Sequence, residues 1–227
     1  MDQQSALIVG AGAGLSASLA RLFAKNGMRI ALAARDPGKL AALAKETGAA
    51  CFACDVSKAD DVTHLFAQLD AAPDVVVFNP SARARGPVVD LVPHEVERAI
   101  AISAFGGFLV GQAAARAMLP RGSGTIIFTG ASASVKGYPQ SASFAMGKFA
   151  LRGLAQSMAR ELAPKGIHIA HVVIDGGIRS ETRRDPPDAP DSLLDPDAIA
   201  ETYLHLVKQN RTAWTWEIEV RPWVERF

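Results

Sequence analysis

One short run constrains this chain more than any other: Ala6-Leu7-Ile8-Val9-Gly10-Ala11-Gly12-Ala13-Gly14-Leu15-Ser16. Four apolar residues lead directly into three alternating glycines, and apolar residues at helical spacing, Leu15, Leu19, Leu22 and Phe23, follow. That pattern is a buried strand, a tight turn and the start of a helix. Glycine in the turn permits positive φ and lets a bound group approach the backbone. The helix behind it aims unpaired N–H groups and the positive end of its dipole into the same space, which suits a phosphate. A glycine cluster alone is weak evidence for a ligand. With a strand before it and a helix after it, the run points to nucleotide binding.

The rest of the chain repeats this alternation. The first helix is expected to run to about residue 26, with Gly27 suited to its C-terminal cap. A buried strand follows over 28–34, then a helix opened by Asp36-Pro37 and closed at Gly48. Further strands are expected at the Cys-containing stretch that ends at Asp55-Val56, at 74–78, 125–129 and 167–174, with a last one at 216–220. Ser57 and Asp60 resemble a capping box for a helix to about residue 69. Helices are expected over 93–119, 143–163 and 196–207, and the Pro/Asp-rich stretch 183–190 reads as mobile.

Strands that are nearly continuous in apolar residues and alternate with helices imply a parallel sheet covered on both faces. The expected fold class is therefore α/β, a doubly wound, Rossmann-like parallel sheet, with residues 1–227 forming a single domain. Ligands of such sheets sit beyond the carboxyl ends of the strands, where the strand order reverses. Those ends carry Gly10 to Gly14, Arg35, Asp55, Asn79, Ala131 to Ser134 and Asp175 to Ile178, and this clustering argues for one dinucleotide-sized site.

Composition narrows the function classes. With 227 residues, 49% of them hydrophobic, the chain can build one substantial core. A net charge of +1 offers no basic surface for nucleic acid. Met1-Asp2-Gln3-Gln4 has no basic leader character, and no run reaches the roughly 18–20 apolar residues of a membrane helix. The expectation is a cytoplasmic protein with neither membrane nor nucleic-acid partners. Cys51 and Cys54 spell C-x-x-C, but on a strand positions three apart face opposite sides, so structural cysteines and no metal site are expected.

With these elements in order, the chain resembles the short-chain dehydrogenase/reductase family over nearly its whole length. Gly10-Ala11-Gly12-Ala13-Gly14-Leu15-Ser16 is similar to that family's G-x-x-x-G-[IL]-G turn, with Ser16 in place of the last glycine. Asp55-Val56 matches the pair that contacts adenine in the family. Phe78-Asn79-Pro80-Ser81 is a divergent form of its N-N-A-G segment, and Asp175-Gly176-Gly177-Ile178-Arg179-Ser180 resembles its P-G-x-[VI]-x-T segment. The resemblance implies cofactor contacts at Gly10, Gly12, Gly14, Leu15, Ser16, Asp55, Val56, Asn79, Pro80, Lys148, Gly176 and Ile178. Family members that bind NAD end the second strand with an acidic residue. Here Arg35 stands in that region, and a guanidinium suits a 2′-phosphate, so NADP(H) is favoured over NAD(H).

The resemblance departs at the chemistry. Phe144-Ala145-Met146-Gly147-Lys148 matches the family's Y-x-x-x-K, keeping the lysine and losing the hydroxyl. The serine position falls on Ala131, with Ser132 beside it, and the asparagine position falls on Ser103. A positioned acid contributes about 10² to 10⁴ in rate, and phenylalanine cannot donate a proton. Lys148, Ser132 and Ser103 are the remaining candidate catalytic residues, with Tyr138 a possible substitute and Ser134 a second hydroxyl able to bind substrate. His168 and His171, inside a strand, read as structural.

Two functions stay open. One is an NADP(H)-dependent oxidoreductase moving hydride to or from a small carbonyl, alcohol or imine without the tyrosine. The other is an inactive dinucleotide-binding regulator or partner subunit. The segment 179–194 corresponds to the family's substrate cover, and its arginines hint at an anionic or polar substrate. Small residues in the helices at 93–119 and 143–163, and three tryptophans near the C-terminus, point to a homodimer or homotetramer.

Overall fold

A computed structural model describes residues 3–225 of the chain. Met1 and Asp2, which carry part of the expectation about the N-terminal segment, lie outside the described residues. The strands are Ser5–Val9 (β1), Arg29–Ala34 (β2), Ala50–Ala53 (β3), Val75–Phe78 (β4), Gly124–Thr129 (β5), Ile167–Ile174 (β6) and Glu217–Val220 (β7). The helices are Leu15–Lys25 (α1), Ala41–Thr47 (α2), Ala59–Ala67 (α3), Pro93–Ile100 (α4), Gly106–Met118 (α5), Ala142–Leu162 (α6) and Pro196–Lys208 (α7). All seven strands are parallel and lie in the order β3-β2-β1-β4-β5-β6-β7.

Every residue of β4 and β6 is buried, which is why β4 reads as an unbroken apolar run and β6 as an apolar run interrupted only by the buried His168 and His171. One face of the sheet packs with Leu19, Phe23 and Tyr203 of α1 and α7, and the other with Val110, Met118 and Leu151 of α5 and α6. Strand order reverses between β1 and β4. There Val9 pairs with Ala33 on one side and Phe78 on the other, so three strands end level with one another. That shared edge positions the site.

The helical stretch 93–121 contains the most apolar helical segment of the described residues. Within its 29 residues one 18-residue window reaches a mean hydropathy of 1.3, enough by length and composition alone for a membrane span, and 44% of that window is buried inside the fold. Its apolarity has an internal use. A Cβ on Gly106 would meet Val56 at 2.9 Å, one on Gly107 would strike the Leu151 side chain, and one on Gly111 would meet Phe128 at 3.0 Å. These glycines let the helix lie directly on the sheet and on α6. A π-helical turn at Ala101–Phe105 separates α4 from α5 and turns Ser103 inward.

Some local expectations change. No side chain caps α3; instead Asp55 accepts from the Ser57 amide and hydroxyl, while Asp61 accepts from the Asp55 amide. The 183–190 stretch is tied down, because Arg179 pairs with Asp185, Asp191 and Asp195 and Asp185 accepts from the Leu193 amide. Cys51 packs with one core layer and Cys54 with the other, so their sulfurs do face apart. Burial pushes the Cys54 thiol up to about 11, helped by Asp61 and Asp55, which leaves it inert near neutrality. Of the three tryptophans only Trp223 is fully exposed; the Trp214 ring stacks on His168 at 4.8 Å, and Trp216 lies beside Arg152.

Candidate active site

The carboxyl ends of β1, β2, β3 and β4 border a cavity of about 1130 Å³. Its floor at one end is backbone. Gly10 has φ 78°, and a Cβ there would meet the Pro80 nitrogen at 2.7 Å, so only glycine fits between the two turns. The amides of Gly10 and Ala11 both donate to the Ala33 carbonyl, fixing the loop to β2. Nothing stands within 4 Å of a would-be Cβ on Gly12, which borders open space. Gly14 (φ 84°) begins α1, whose N-terminus carries no side-chain cap.

Ser16 closes this loop from within. Its hydroxyl donates to the Gly10 carbonyl at 3.1 Å and accepts from Asn79 Nδ2 at 2.7 Å, so the glycine turn and the end of β4 form one unit. Leu15 is buried in the core beneath. Beside the turn, Arg35, Asp36 and Lys39 line the cavity. Asp36 is engaged locally, accepting from the Gly38 amide and lying 3.7 Å from Lys39. Arg35 is exposed and makes no ion pair among the described residues. Asp55 and Val56 also line this end. Hydrogen bonding from the Ser57 hydroxyl, with Lys58 and Arg35 nearby, holds the Asp55 carboxyl below the usual carboxylate range.

The opposite end is built from side chains. Between β4 and α4 the chain runs Ser81-Ala82-Arg83-Ala84-Arg85, and two buried serines from distant elements hold it. Ser103 accepts from the Ala82 amide at 3.1 Å. Ser143 both accepts from the Ala84 amide (2.9 Å) and donates to the Ala84 carbonyl (2.8 Å). Arg83 and Arg85 flank the clamped Ala84 and line the cavity with His94, Glu95 and Arg98.

The Arg83 guanidinium lies over the Phe144 ring, 3.9 Å from its centroid. Phe144 is buried, as is Lys148 one helical turn on, whose Nζ donates to the Thr129 carbonyl at 2.7 Å. Burial lowers the Lys148 pKa to about 7, and the Arg83 charge pushes the same way. Lys148 is therefore a cation that gives up its proton near neutrality.

Ser132 sits in the turn after β5, half-buried, and its hydroxyl has no hydrogen-bond partner among the described residues. Ser134, two residues on, is buried. It accepts from the Ala131 amide and lies 3.4 Å from His171 Nε2. His171 Nδ1 is 3.0 Å from Glu217, which is held bidentately by Arg152. Burial pushes the His171 pKa down to about 4, so the imidazole is neutral and braces the turn from below. His168 contacts the Thr215 carbonyl and is likewise structural.

Tyr138 is 45% exposed. A Cβ on Gly176 would meet Pro222 and Leu194 at about 3 Å, and Ile178 bridges to Leu194, so this segment is fixed to the base of α7. The cavity wall thus brings together Gly10, Gly12, Arg35, Asp55, Val56, Asn79 and Pro80. Gly14, Leu15 and Ser16 support it from behind. Ser103, Ser132, Phe144, Lys148, Gly176 and Ile178 lie outside the wall. Sequence reasoning did not single out Lys39, Arg83, Arg85 or Ser143; a signal was present for Lys39, three residues after Asp36 in the same turn.

Comparison with known proteins agrees with this geometry. Residues 4–189 match the family model described as short chain dehydrogenase. A crystal structure of a short-chain dehydrogenase from Rhodopseudomonas palustris is 35% identical, with a TM-score of 0.84 over 98% of this chain and 100% of that one. A metagenomic short-chain oxidoreductase, solved in complex with NADP, is 29% identical with a TM-score of 0.82 over 96% and 97% of the two chains. Galactitol 2-dehydrogenase (L-tagatose-forming) from Cereibacter sphaeroides is 30% identical, covering 86% of this chain and 80% of its own length. The chain spans 62%, 65% and 54% of the length of three further curated relatives that it matches.

Proposed function

Because the chain belongs to the short-chain dehydrogenase family, we propose that it is an NADP(H)-dependent oxidoreductase acting on a small carbonyl, alcohol or imine by a route that does not use tyrosine. The observation that carries this reading is the cavity at the strand reversal. It has a glycine floor open at Gly12, the N-terminus of α1 behind, and Arg35, which makes no ion pair among the described residues. These residues fit a phosphorylated dinucleotide. The backbone of Gly10 to Gly14 and the first turn of α1 take the pyrophosphate. Arg35 and Lys39 take the 2′-phosphate, while Asp36 is turned to its own loop, accepting from the Gly38 amide and lying 3.7 Å from Lys39. Asp55 and Val56 border the adenine, and Asn79, Pro80, Lys148, Gly176 and Ile178 complete the cofactor contacts. The NADP complex of the metagenomic relative supports the same choice.

The bound dinucleotide supplies or accepts the hydride. The chain's own residues orient the substrate and manage the proton. Phe144, standing where the family has its acid, is buried behind the wall and supports Arg83 from beneath. Ser132, whose hydroxyl has no hydrogen-bond partner among the described residues, holds the substrate oxygen. Lys148, with its pKa near 7, keeps a mobile proton at Nζ. Ser103 is committed to the Ala82 amide and acts as a positioning residue. The segment 179–194 covers the substrate.

One observation favours a second reading. Phe144 has no proton to give and its ring is covered by Arg83, which suits a dinucleotide-binding protein that does not turn over. NADPH binding by fluorescence, followed by NADPH consumption with aldehydes, ketones, quinones and imines, separates the two. Turnover of any of these establishes the enzyme, and binding without turnover on all favours the second reading. We further propose a homo-oligomer formed through the exposed Phe105, Phe108, Met146 and Phe149 of the α5 and α6 region. Light scattering that finds a monomer would reject it.

A further inference from the structure

We infer that Arg83, Arg85 and Arg183 form a receptor for an anionic group, a carboxylate or phosphate carried by the substrate, at the Phe144 end of the cavity. This rests on the oxidoreductase reading only for the word substrate; the anion site itself stands on the observations below.

First, the arginines of the covering segment divide into two kinds. Arg179 is neutralised by Asp185, Asp191 and Asp195, and serves to fold the segment. Arg183 makes no ion pair among the described residues. It lies close enough to Arg83, as Arg85 does, to add to the burial that disfavours the Arg83 charge. Three guanidiniums gathered without a carboxylate repel one another, and an anion between them relieves that repulsion. Glu95 lines the same end of the cavity, alongside Arg98 and His94, yet pairs with none of the three.

Second, the cluster is held in place. Arg83 and Arg85 flank Ala84, which buried Ser143 grips by both amide and carbonyl, and Ser103 holds the preceding amide. The Phe144 ring lies beneath the Arg83 guanidinium, 3.9 Å from centroid to Cζ. Arg183 is set by a turn in which Ser180 exchanges backbone hydrogen bonds with it and its hydroxyl accepts from the Arg183 amide. Its Nη1 lies 2.9 Å from where a Cβ on Gly177 would stand, so the missing side chain at 177 makes room for the guanidinium.

Third, Arg83 and Arg85 line the same cavity as Arg35 and Lys39 but come from the loop after β4. Arg35 and Lys39 come from the turn after β2, and Arg183 lies outside the lining. The cluster therefore adds a second anion-binding end to the cavity, separate from the one assigned to the 2′-phosphate. A planar, bidentate donor suits carboxylate or phosphate, and phenylalanine beneath it supplies an apolar floor.

The test is calorimetric titration of the free protein and of the NADPH-loaded protein with oxalate, succinate and inorganic phosphate. Saturable binding of at least one is expected. It should weaken by at least about tenfold in Arg183→Gln and in Arg83→Gln, the scale of one lost charge-assisted hydrogen bond. Arg35→Ala is the counterpart: it loosens NADPH and leaves the anion isotherm in place. No saturable binding to the wild-type protein, or binding undiminished in these variants, overturns the inference. So does loss of NADPH affinity in Arg83→Gln with anion binding intact, since the cluster would then serve the cofactor. Failure of NADPH to bind the wild-type protein overturns the dinucleotide reading, while the anion isotherms still decide the receptor.

Discussion

The two ends of the cavity are made in different ways. At the Arg35 end the working surface is backbone: a glycine turn with positive φ, amides tied to β2, and a helix N-terminus behind them. At the Arg83 end the surface is side chain, a row of guanidiniums whose loop is clamped by serines from α6 and the π-helical turn. A backbone site depends on what is absent, because any Cβ fills it. A side-chain site depends on what is present and on the groups that hold it. The first therefore tolerates almost no substitution, while the second can change its ligand by changing a few residues.

The sharpest way to break this contrast is Gly10→Ala. Positive φ costs about 1–2 kcal/mol for a residue with a Cβ, and a clash with the Pro80 backbone adds about 1–3 kcal/mol. The variant should melt well below the wild type and lose NADPH affinity, both readable by thermal unfolding and fluorescence titration. Wild-type behaviour would mean that the turn is not the rigid floor described here.

Next in size is Phe144→Tyr. Restoring a hydroxyl one helical turn from Lys148 should raise NADPH consumption with carbonyl substrates by about 10² or more, with NADPH affinity unchanged. An unchanged rate would show that the chemistry end lacks more than an acid. Ser143→Ala follows. It leaves a buried amide and carbonyl at Ala84 unsatisfied, worth about 1–3 kcal/mol. Its effect on binding should fall on anions at the Arg83 end and spare the dinucleotide, measured by parallel titrations of the one variant.

The smallest effect concerns His171, which braces the turn after β5. In the folded protein His171 stays neutral down to about pH 4, whereas the unfolded chain takes up its proton near 6.5. Between those values the unfolded state binds more protons, so stability is lost as pH falls from 6.5 toward 4. Glu217, whose pKa is lowered first by its hydrogen bond from Arg152, adds loss in the same direction below its ordinary range. Tm measured against pH should show this slope in the wild type and a flatter one in His171→Asn.

The same contrast explains what the sequence disclosed. The strands, the helices and the glycine turn were legible because burial imposes a local period and positive φ imposes a local residue type. Arg35 was legible because it directly follows a strand end. The clamp on Ala84 was not, since Ser143 lies 59 residues away and any serine on a helix looks alike. The Asn79–Ser16 link spans 63 residues, so Ser16 read only as a departure from glycine. The arginines of 179–194 read as equivalent, and only the carboxylates folded around Arg179 separate it from Arg183. The small residues of the helices over 93–119 and 143–163 were expected to meet a partner. Gly106 and Gly107 instead pack inside the chain, and the exposed phenylalanines carry the interface argument.

The central claim is that the glycine turn and Arg35 grip a 2′-phosphorylated dinucleotide. Parallel fluorescence titrations of the wild type and Arg35→Ala with NADPH and NADH test it most directly. The account predicts saturable NADPH binding by the wild type, weakened by about tenfold or more in Arg35→Ala, and NADH binding that is weaker and indifferent to the substitution. Absence of a saturable NADPH signal, or equal affinity for the two dinucleotides in both proteins, would contradict it.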